Sequence, residues 1–275
     1  MDATQRQVEL HYAREGIAAR ILAVLKANGD PPVTPDALAP LDHFHSRGLQ
    51  ATKELAAMLA PRTGDQVLDI GCGIGGPARW IAANFGCKVT GIDLTAAFVA
   101  AATELIAACG LQDRVHVVQA SAFDLPFPAG RFDRAYSQNV VMNIADKPAF
   151  YRQALRVLRP GGVLALANLC QGPGGPPIYP VPWADTPATS FLATPEQMRA
   201  DLIAAGLEIV EFRDISAEIR AAQVAMRKKV EAEGLPPLGL HVLMGESFKE
   251  RQINTTRSLE ESRIASIEAL VRKPG

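Results

Sequence analysis

The sequence predicts an α/β fold, a doubly wound and mostly parallel seven-stranded sheet with helical cap elements, on the strength of three observations. Strand-length apolar runs alternate with helix-length segments from residue 67 to residue 169, the order that a parallel sheet covered on both faces requires. The first run, Val67-Leu68-Asp69-Ile70, stops at Gly71, Gly73 and Gly75-Gly76 and opens straight into a helix through Ala78, Trp80 and Ile81. The second run ends in Asp93, 20 residues after Gly73 (93 minus 73).

Residues 9–25 repeat apolar side chains at helical spacing (Leu10, Ala13, Ile17, Ile21, Val24, Leu25) and predict one amphipathic helix, ended by Asn28-Gly29-Asp30-Pro31-Pro32. A connection carrying Pro35 and Pro40 follows, and residues 51–59 read as a further helix. In the core, strands are expected at 67–70, 88–92, 115–119, 132–137 and 163–169, and helices at 76–84, 96–108 and 147–158. Arg159-Pro160-Gly161-Gly162 reads as a turn. Thr194-Pro195-Glu196 supplies an N-cap, a first-turn proline and an early acid for a helix to residue 205, before a strand at 207–212. Residues 216–261 read as irregular, with a basic helix around 220–229 and a break at Gly234-Leu235-Pro236-Pro237, and residues 263–271 as a final edge strand. The expected partition is an N-terminal helical cap at 1–60, a core at 61–215, and a cap insertion with the last strand at 216–275.

A chain of 275 residues, 48% hydrophobic and 21% charged, can bury one good core with a smaller appendage. Its 28 basic residues balance 29 acidic ones without any basic block, which argues against a nucleic-acid or anionic-membrane partner. Cys72, Cys87, Cys109 and Cys170 show no C-x-x-C spacing, the polar start lacks the features of a signal peptide, and no run approaches a membrane span. A reduced, cytoplasmic setting is expected, with the cysteines as small buried apolar residues.

The glycine turn is built to receive a ligand, because glycine tolerates positive φ and lets backbone approach a nucleotide-like molecule beside the free N–H groups of a helix start. Residues 71, 73 and 76 also satisfy the G-x-G-x-x-G dinucleotide fingerprint. Asp69 helps to decide between ligands. A carboxylate there would repel a pyrophosphate but attract a cofactor carrying an ammonium and a sulfonium, which favours S-adenosylmethionine over NAD. Asp93 can accept ribose hydroxyls, or it can cap the helix that follows Thr95.

These motifs, in order, resemble the class I S-adenosylmethionine-dependent methyltransferases over residues 51–215. Residues 67–75 resemble their first motif, Gly91-Ile92-Asp93 their ribose-binding acid, residues 120–128 their adenine-binding segment, Phe132-Asp133 the start of the fourth strand and residues 158–162 the turn before the fifth. The resemblance implies a Rossmann-like core that binds S-adenosyl-L-methionine and releases S-adenosyl-L-homocysteine. It implies contacts from Asp69, Gly71, Gly73, Gly75, Asp93, Leu94, Ser121, Ala122, Phe123 and Gln138. Ser121 stands where the family usually has an acid contacting the adenine amino group; Asp124 could substitute, or could cap the following turn. Residues 41–48 and 73–79 look like the small-molecule branch that includes sarcosine and dimethylglycine N-methyltransferases and natural-product methyltransferases.

Methyl transfer from a sulfonium is an in-line displacement, so alignment and water exclusion carry much of the rate, and a hydroxyl or ammonium acceptor also needs a base. His45 and His43 are candidates near neutral pKa, as is His241; each could instead pack its ring or cap a helix. No metal site is expected. Gln138 and Asn139, at the end of the fourth strand, offer donors and acceptors where ligands meet an open parallel sheet, or satisfy loop backbone there. Residues 172–183, with Tyr179 and Trp183 among prolines and glycines, suit a pocket wall. Residues 9–48, 172–183 and part of 216–245 are expected to close over the cofactor. The expected function is methylation of a nitrogen or oxygen, or a carbon, of a small-molecule acceptor, with a homodimer left open. A non-catalytic cofactor-binding module and an NAD-dependent oxidoreductase are the alternatives.

Overall fold

The computed structural model describes residues 3–12, 16–43, 45, 47–241 and 246–275, without the side chains of 246–248. Where a single helix over 9–25 was expected, the chain forms α1 (Ala3–Tyr12) and α2 (Ile17–Ala27). Gly16 adopts φ 67 immediately before α2, a left-handed conformation that a continuous helix cannot contain. The predicted apolar position Ala13 lies outside the described residues. α3 (Pro35–Asp42) occupies the stretch expected to be a connection: the Thr34 side chain accepts from Ala37 N and Pro35 starts the helix. α4 (Leu49–Leu59) then leads into the sheet.

The alternating core follows as β1 (Gln66–Ile70), α5 (Gly76–Phe85), β2 (Lys88–Asp93), α6 (Ala96–Ala108), β3 (Val115–Gln119), β4 (Phe132–Gln138), α7 (Lys147–Val157) and β5 (Leu158–Gln171). The Arg-Pro-Gly-Gly turn is absorbed into β5, where the pairing shifts register opposite Phe132 and Arg134 and Gly161 takes φ 75. Beyond it come α8 (Pro195–Ala204), β6 (Glu208–Asp214), α9 (Ser216–Glu233), α10 (Glu246–Glu260) and β7 (Ile264–Arg272). Most of the described part of the stretch expected to be irregular is thus helical.

The strand order is β3-β2-β1-β4-β5-β7-β6. The first five run parallel, and β7 runs antiparallel to both β5 and β6. β7 is therefore an interior strand rather than the expected edge, and its composition explains why. Seven of its nine residues are buried in a pattern that does not alternate, as a strand flanked on both sides and covered on both faces requires, whereas β6 leaves Val210 exposed on the outside. One face of the sheet packs α7 and α8 through Phe150, Ala154, Met198 and Leu202, and the other packs α4 and α5 through Leu55, Leu59, Ala78 and Ile81. A third apolar cluster joins Ile21, Leu25, Leu38 and Leu41 of α2 and α3 to Phe98 and Leu105 of α6, which sets the leader over the glycine turn. The order reverses between β1 and β4, and a crevice opens at their carboxyl ends.

Candidate active site

β1 delivers Gly71 to that crevice at φ 83, and its N–H donates to Ile92 O at 2.9 Å. A Cβ there would fall 2.3 Å from Val140 Cγ2, so no larger residue fits without moving the loop after β4. Gly73, at φ 54, has open space on the side where a Cβ would stand, and its N–H donates to Asp93 Oδ2 at 2.9 Å. Asp93 Oδ1 accepts from Thr95 N at 2.9 Å, a turn just ahead of α6, whose N-cap is Thr95 itself, and Asp93 also lines the cavity. Burial raises the Asp93 carboxyl above the usual range, against the hydrogen bonds from the Thr95 and Gly73 backbone.

Asp69 is buried at the end of β1 and accepts from Tyr136 Oη at 2.7 Å. Burial pushes its carboxyl up to about 7, opposed by the Tyr136 hydrogen bond and reinforced by the Asp93 charge. Gly71, Gly73, Asp69 and Leu94 line one cavity together with Ser121, Ala122, Phe123, Gln138 and Asn139. Gly75 does not line it; it takes φ 76 before α5, and a Cβ there would sit 3.1 Å from Arg79 Nη1. Asp124 is exposed outside the lining, whereas Ser121 borders the cavity. The Ser121 hydroxyl receives Gln5 Nε2 at 3.1 Å and Phe123 N at 3.2 Å. Asn139 takes φ 55, and its N–H donates to Ala167 O at 2.8 Å.

The two leader histidines part company. His45 lines the cavity with Nε2 3.3 Å from Thr52 Oγ1, which in turn donates to Gln138 Oε1 at 3.4 Å. His43 closes α3, is 2% exposed, and lies outside the lining with Nδ1 2.8 Å from Asp42 Oδ1. Of the two histidines offered as alternatives, His45 is the one that lines the cavity, while the His43 ring is turned onto the Asp42 carboxylate. His241 lines the outer part of the cavity. Among the described residues no group of three or more His, Cys, Asp and Glu could hold a metal ion.

Asp42 and Arg79 were not singled out as a pair by sequence, yet they fix the loop. Arg79 is fully buried, donates to Ile74 O at 2.7 Å and pairs with the Asp42 carboxylate. Burial alone would raise the Asp42 carboxyl, but Arg79 and His43 together hold it below the usual range. Gly76 permits the approach, since a Cβ there would lie 2.6 Å from Asp42 O. The available signal was an arginine on the otherwise apolar inner face of α5.

The cavity measures about 1580 Å³ and runs from the glycine turn outward between α1, α9 and α10, past Val8, Met142, Met226, Val230 and Leu240. Trp183 lines it and Tyr179 does not, so only one of the two aromatics expected in the wall reaches it. α1 has no fully buried residue; its Tyr12 ring packs against Phe98, and polar ties add to this: Gln5 to Ser121, Tyr12 Oη to Asn143 Oδ1 at 3.1 Å, and His11 Nδ1 to Asp185 at 3.2 Å. Arg251 of α10 pairs with the same Asp185.

Residues 68–166 match the family model described as a methyltransferase domain. The 27-O-demethylrifamycin SV methyltransferase of Amycolatopsis mediterranei is 31% identical over 230 residues, covering 81% of this chain and 82% of its own. The chain belongs to the S-adenosylmethionine-dependent methyltransferases. Membership removes the NAD-dependent alternative. Phosphoethanolamine N-methyltransferase 3 of Arabidopsis thaliana is 39% identical over 129 residues, 47% of this chain and 26% of its own length. The chain thus spans about a quarter to a third of the length of the first plant relatives it matches. The methyltransferase fold extends over the whole chain: the geranyl diphosphate C-methyltransferase of Streptomyces coelicolor, solved with Mg2+, geranyl-S-thiolodiphosphate and S-adenosyl-L-homocysteine, superposes with a TM-score of 0.71 at 15% identity, covering 99% of this chain and 98% of that one. No helix among the described residues is long and apolar enough to cross a membrane.

Proposed function

We propose that this chain transfers a methyl group from S-adenosyl-L-methionine to a nitrogen or oxygen, or a carbon, of a small-molecule acceptor with a large apolar body. The cavity carries this reading. At about 1580 Å³ it exceeds the roughly 300–1,000 Å³ of an ordinary ligand site, and its outer part is walled by Val8, Met226, Val230 and Leu240. A full-length relative named for 27-O-demethylrifamycin SV supports the same class over a phosphoethanolamine-sized acceptor.

The residues present fit the cofactor: open backbone at Gly73, two carboxylates at Asp69 and Asp93, and a hydroxyl at Ser121. When bound, S-adenosyl-L-methionine supplies an electrophilic methyl group on a sulfonium. Asp69 and Asp93 then hold its positive charge and ribose hydroxyls, while Ser121 and Phe123 border the base. Gln138 and Asn139 orient the acceptor atom, and His45 takes its proton. α1, residues 172–189 and the helices α9 and α10 form the cap, within the 1–60, 61–215 and 216–275 partition. Their closure excludes water, which a module that merely binds the cofactor would not need.

Calorimetric titration with S-adenosyl-L-homocysteine tests the cofactor half, and methyl transfer from labelled cofactor to a hydroxylated apolar polyketide and to phosphoethanolamine tests the acceptor class. Binding followed by transfer to the polyketide alone is expected. Transfer to phosphoethanolamine alone would overturn the acceptor class, and no cofactor binding at high micromolar ligand would overturn the function.

A further inference from the structure

A second, small cavity of about 30 Å³ lies behind the main one, where the segment before α4 meets β7 and the start of α9. His45 and Gln138 line both. The rest of its polar wall is Arg47, Asn139, Asn168, Ser266 and Glu268. Ser266 and Glu268 stand two residues apart on β7 and so share one face of the sheet, beside Leu169 and Ala167 of β5. Ser266 is 5% exposed and its hydroxyl has no hydrogen-bond partner; the Arg47 Nε–H, also buried, has none either. Glu268 is 2% exposed, and its carboxylate is 2.7 Å from Arg213 Nη2 and 3.6 Å from Arg47 Nη2. Glu54 on α4 faces the other side of Arg47 at 2.5 Å, Glu211 on β6 touches Arg213 at 3.0 Å, and Asp42 and His43 on α3 lie on the far side of His45, whose ring meets that of His43 edge-on.

A guanidinium N–H, a hydroxyl and a carboxylate thus converge on a space that holds about one or two water molecules, and a buried water typically makes three such bonds. Asn168, whose amide nitrogen and oxygen are also buried without partners, lines the same space, and a molecule there would satisfy Ser266 Oγ and Arg47 Nε.

On the reading of the main cavity given above, we propose that this space is a water site that passes the acceptor's proton from His45 to Glu268. As the acceptor's lone pair bonds the methyl carbon and the sulfur keeps the electron pair of the breaking bond, the acceptor's proton goes to a ring nitrogen of His45. His45 releases it to the water, which gives up one of its own to the Glu268 carboxylate, so charge and protons balance without any further reactant. Burial raises the Glu268 carboxyl, against Arg213 and Arg47, which suits it to receive a proton. His45 is the group that touches the acceptor, and Glu268 acts only through the water.

The test follows the His45 ring by NMR titration, with and without S-adenosyl-L-homocysteine, in the full chain and in Glu268→Gln, Ser266→Ala and Glu211→Gln. Glu268→Gln is expected to lower the His45 midpoint by about half a pH unit or more, since it removes a buried anion and leaves Arg47 and Arg213 with Glu54 and Glu211 as their remaining partners. Ser266→Ala, which changes no charge, is expected to shift it the same way by less, and the surface change Glu211→Gln to leave it in place. A high-resolution crystal structure should show a water within hydrogen-bond distance of Ser266 Oγ and Arg47 Nε. An unmoved midpoint in Ser266→Ala, or a site without an ordered water, would overturn the proposal, and Ser266→Ala keeps it testable should Glu268→Gln not fold. Failure to bind S-adenosyl-L-homocysteine would count against the methyl-transfer reading instead, because the titration runs equally on the free protein.

Discussion

Asp93 engages both carboxylate oxygens with backbone N–H groups, one from the glycine turn and one from the start of α6, so it shapes the turn while presenting its remaining lone pairs to the cavity. Asp93→Ala should therefore weaken S-adenosyl-L-homocysteine binding by about 1.5–3 kcal/mol, the usual cost of losing charge-assisted bonds, as calorimetry would read it. Asp69 makes a pH prediction. Its folded-state value of about 7 lies above the ordinary carboxylate range, so the free protein binds an extra proton between roughly pH 4 and 7, and its stability contribution falls as pH rises through that window. A cationic cofactor favours the ionised form, so affinity should rise from pH 5 to 7 and then level off. Calorimetry at pH 6 in buffers of different ionisation enthalpy should show proton release on binding, and Asp69→Asn should reduce both the slope and the release, with Asp93, also raised by burial, as the remaining contributor.

At the scale of elements, the pair between α3 and α5 decides how the turn is held. Asp42→Asn, which strands the buried Arg79 charge, should destabilise the fold by about 3–5 kcal/mol in urea titration, Arg79→Met, which leaves Asp42 with His43 alone, by less, and the double change Asp42→Leu with Arg79→Met should recover much of the loss. α1 should behave oppositely. It has no fully buried residue and meets the core through the Tyr12 ring, so removing residues 1–12 is expected to lower the melting temperature by a few degrees at most while speeding S-adenosyl-L-homocysteine dissociation in stopped flow. Much of this architecture was legible in the sequence. Strand-length apolar runs, the glycine turn and Asp93 located the crevice because local chemistry dictates them. α3 was legible too, since Thr34-Pro35-Asp36 repeats the start signal of Thr194-Pro195-Glu196, but the prolines at 35 and 40 read as breakers. What the sequence could not show was tertiary: that His43 turns to Asp42 while His45 faces the cavity, and that Arg47 reaches back to Glu268, 221 residues away (268 minus 47). α10 was hidden because its polar sequence, with few apolar positions, carries little helical periodicity.

For the whole molecule, the placement of β7 bears on how the chain is made. Every other strand precedes it, yet it fills the slot between β5 and β6, so a nascent chain whose residues 264–272 are still inside the ribosome carries a five-stranded sheet ending in an open β5 edge. During that interval β6 has no partner at all, and Leu164, Leu166 and Ile209 await the strand that will cover them. Synthesis and closure of the sheet are thus timed by one late hairpin-like insertion, and the acid that it carries at 268 reaches the cavity only then. A chain stopped after Glu261 should accordingly partition into the insoluble fraction on expression, and supplying residues 262–275 as a separate peptide during refolding should return part of it to solution, measurable as recovered S-adenosyl-L-homocysteine binding.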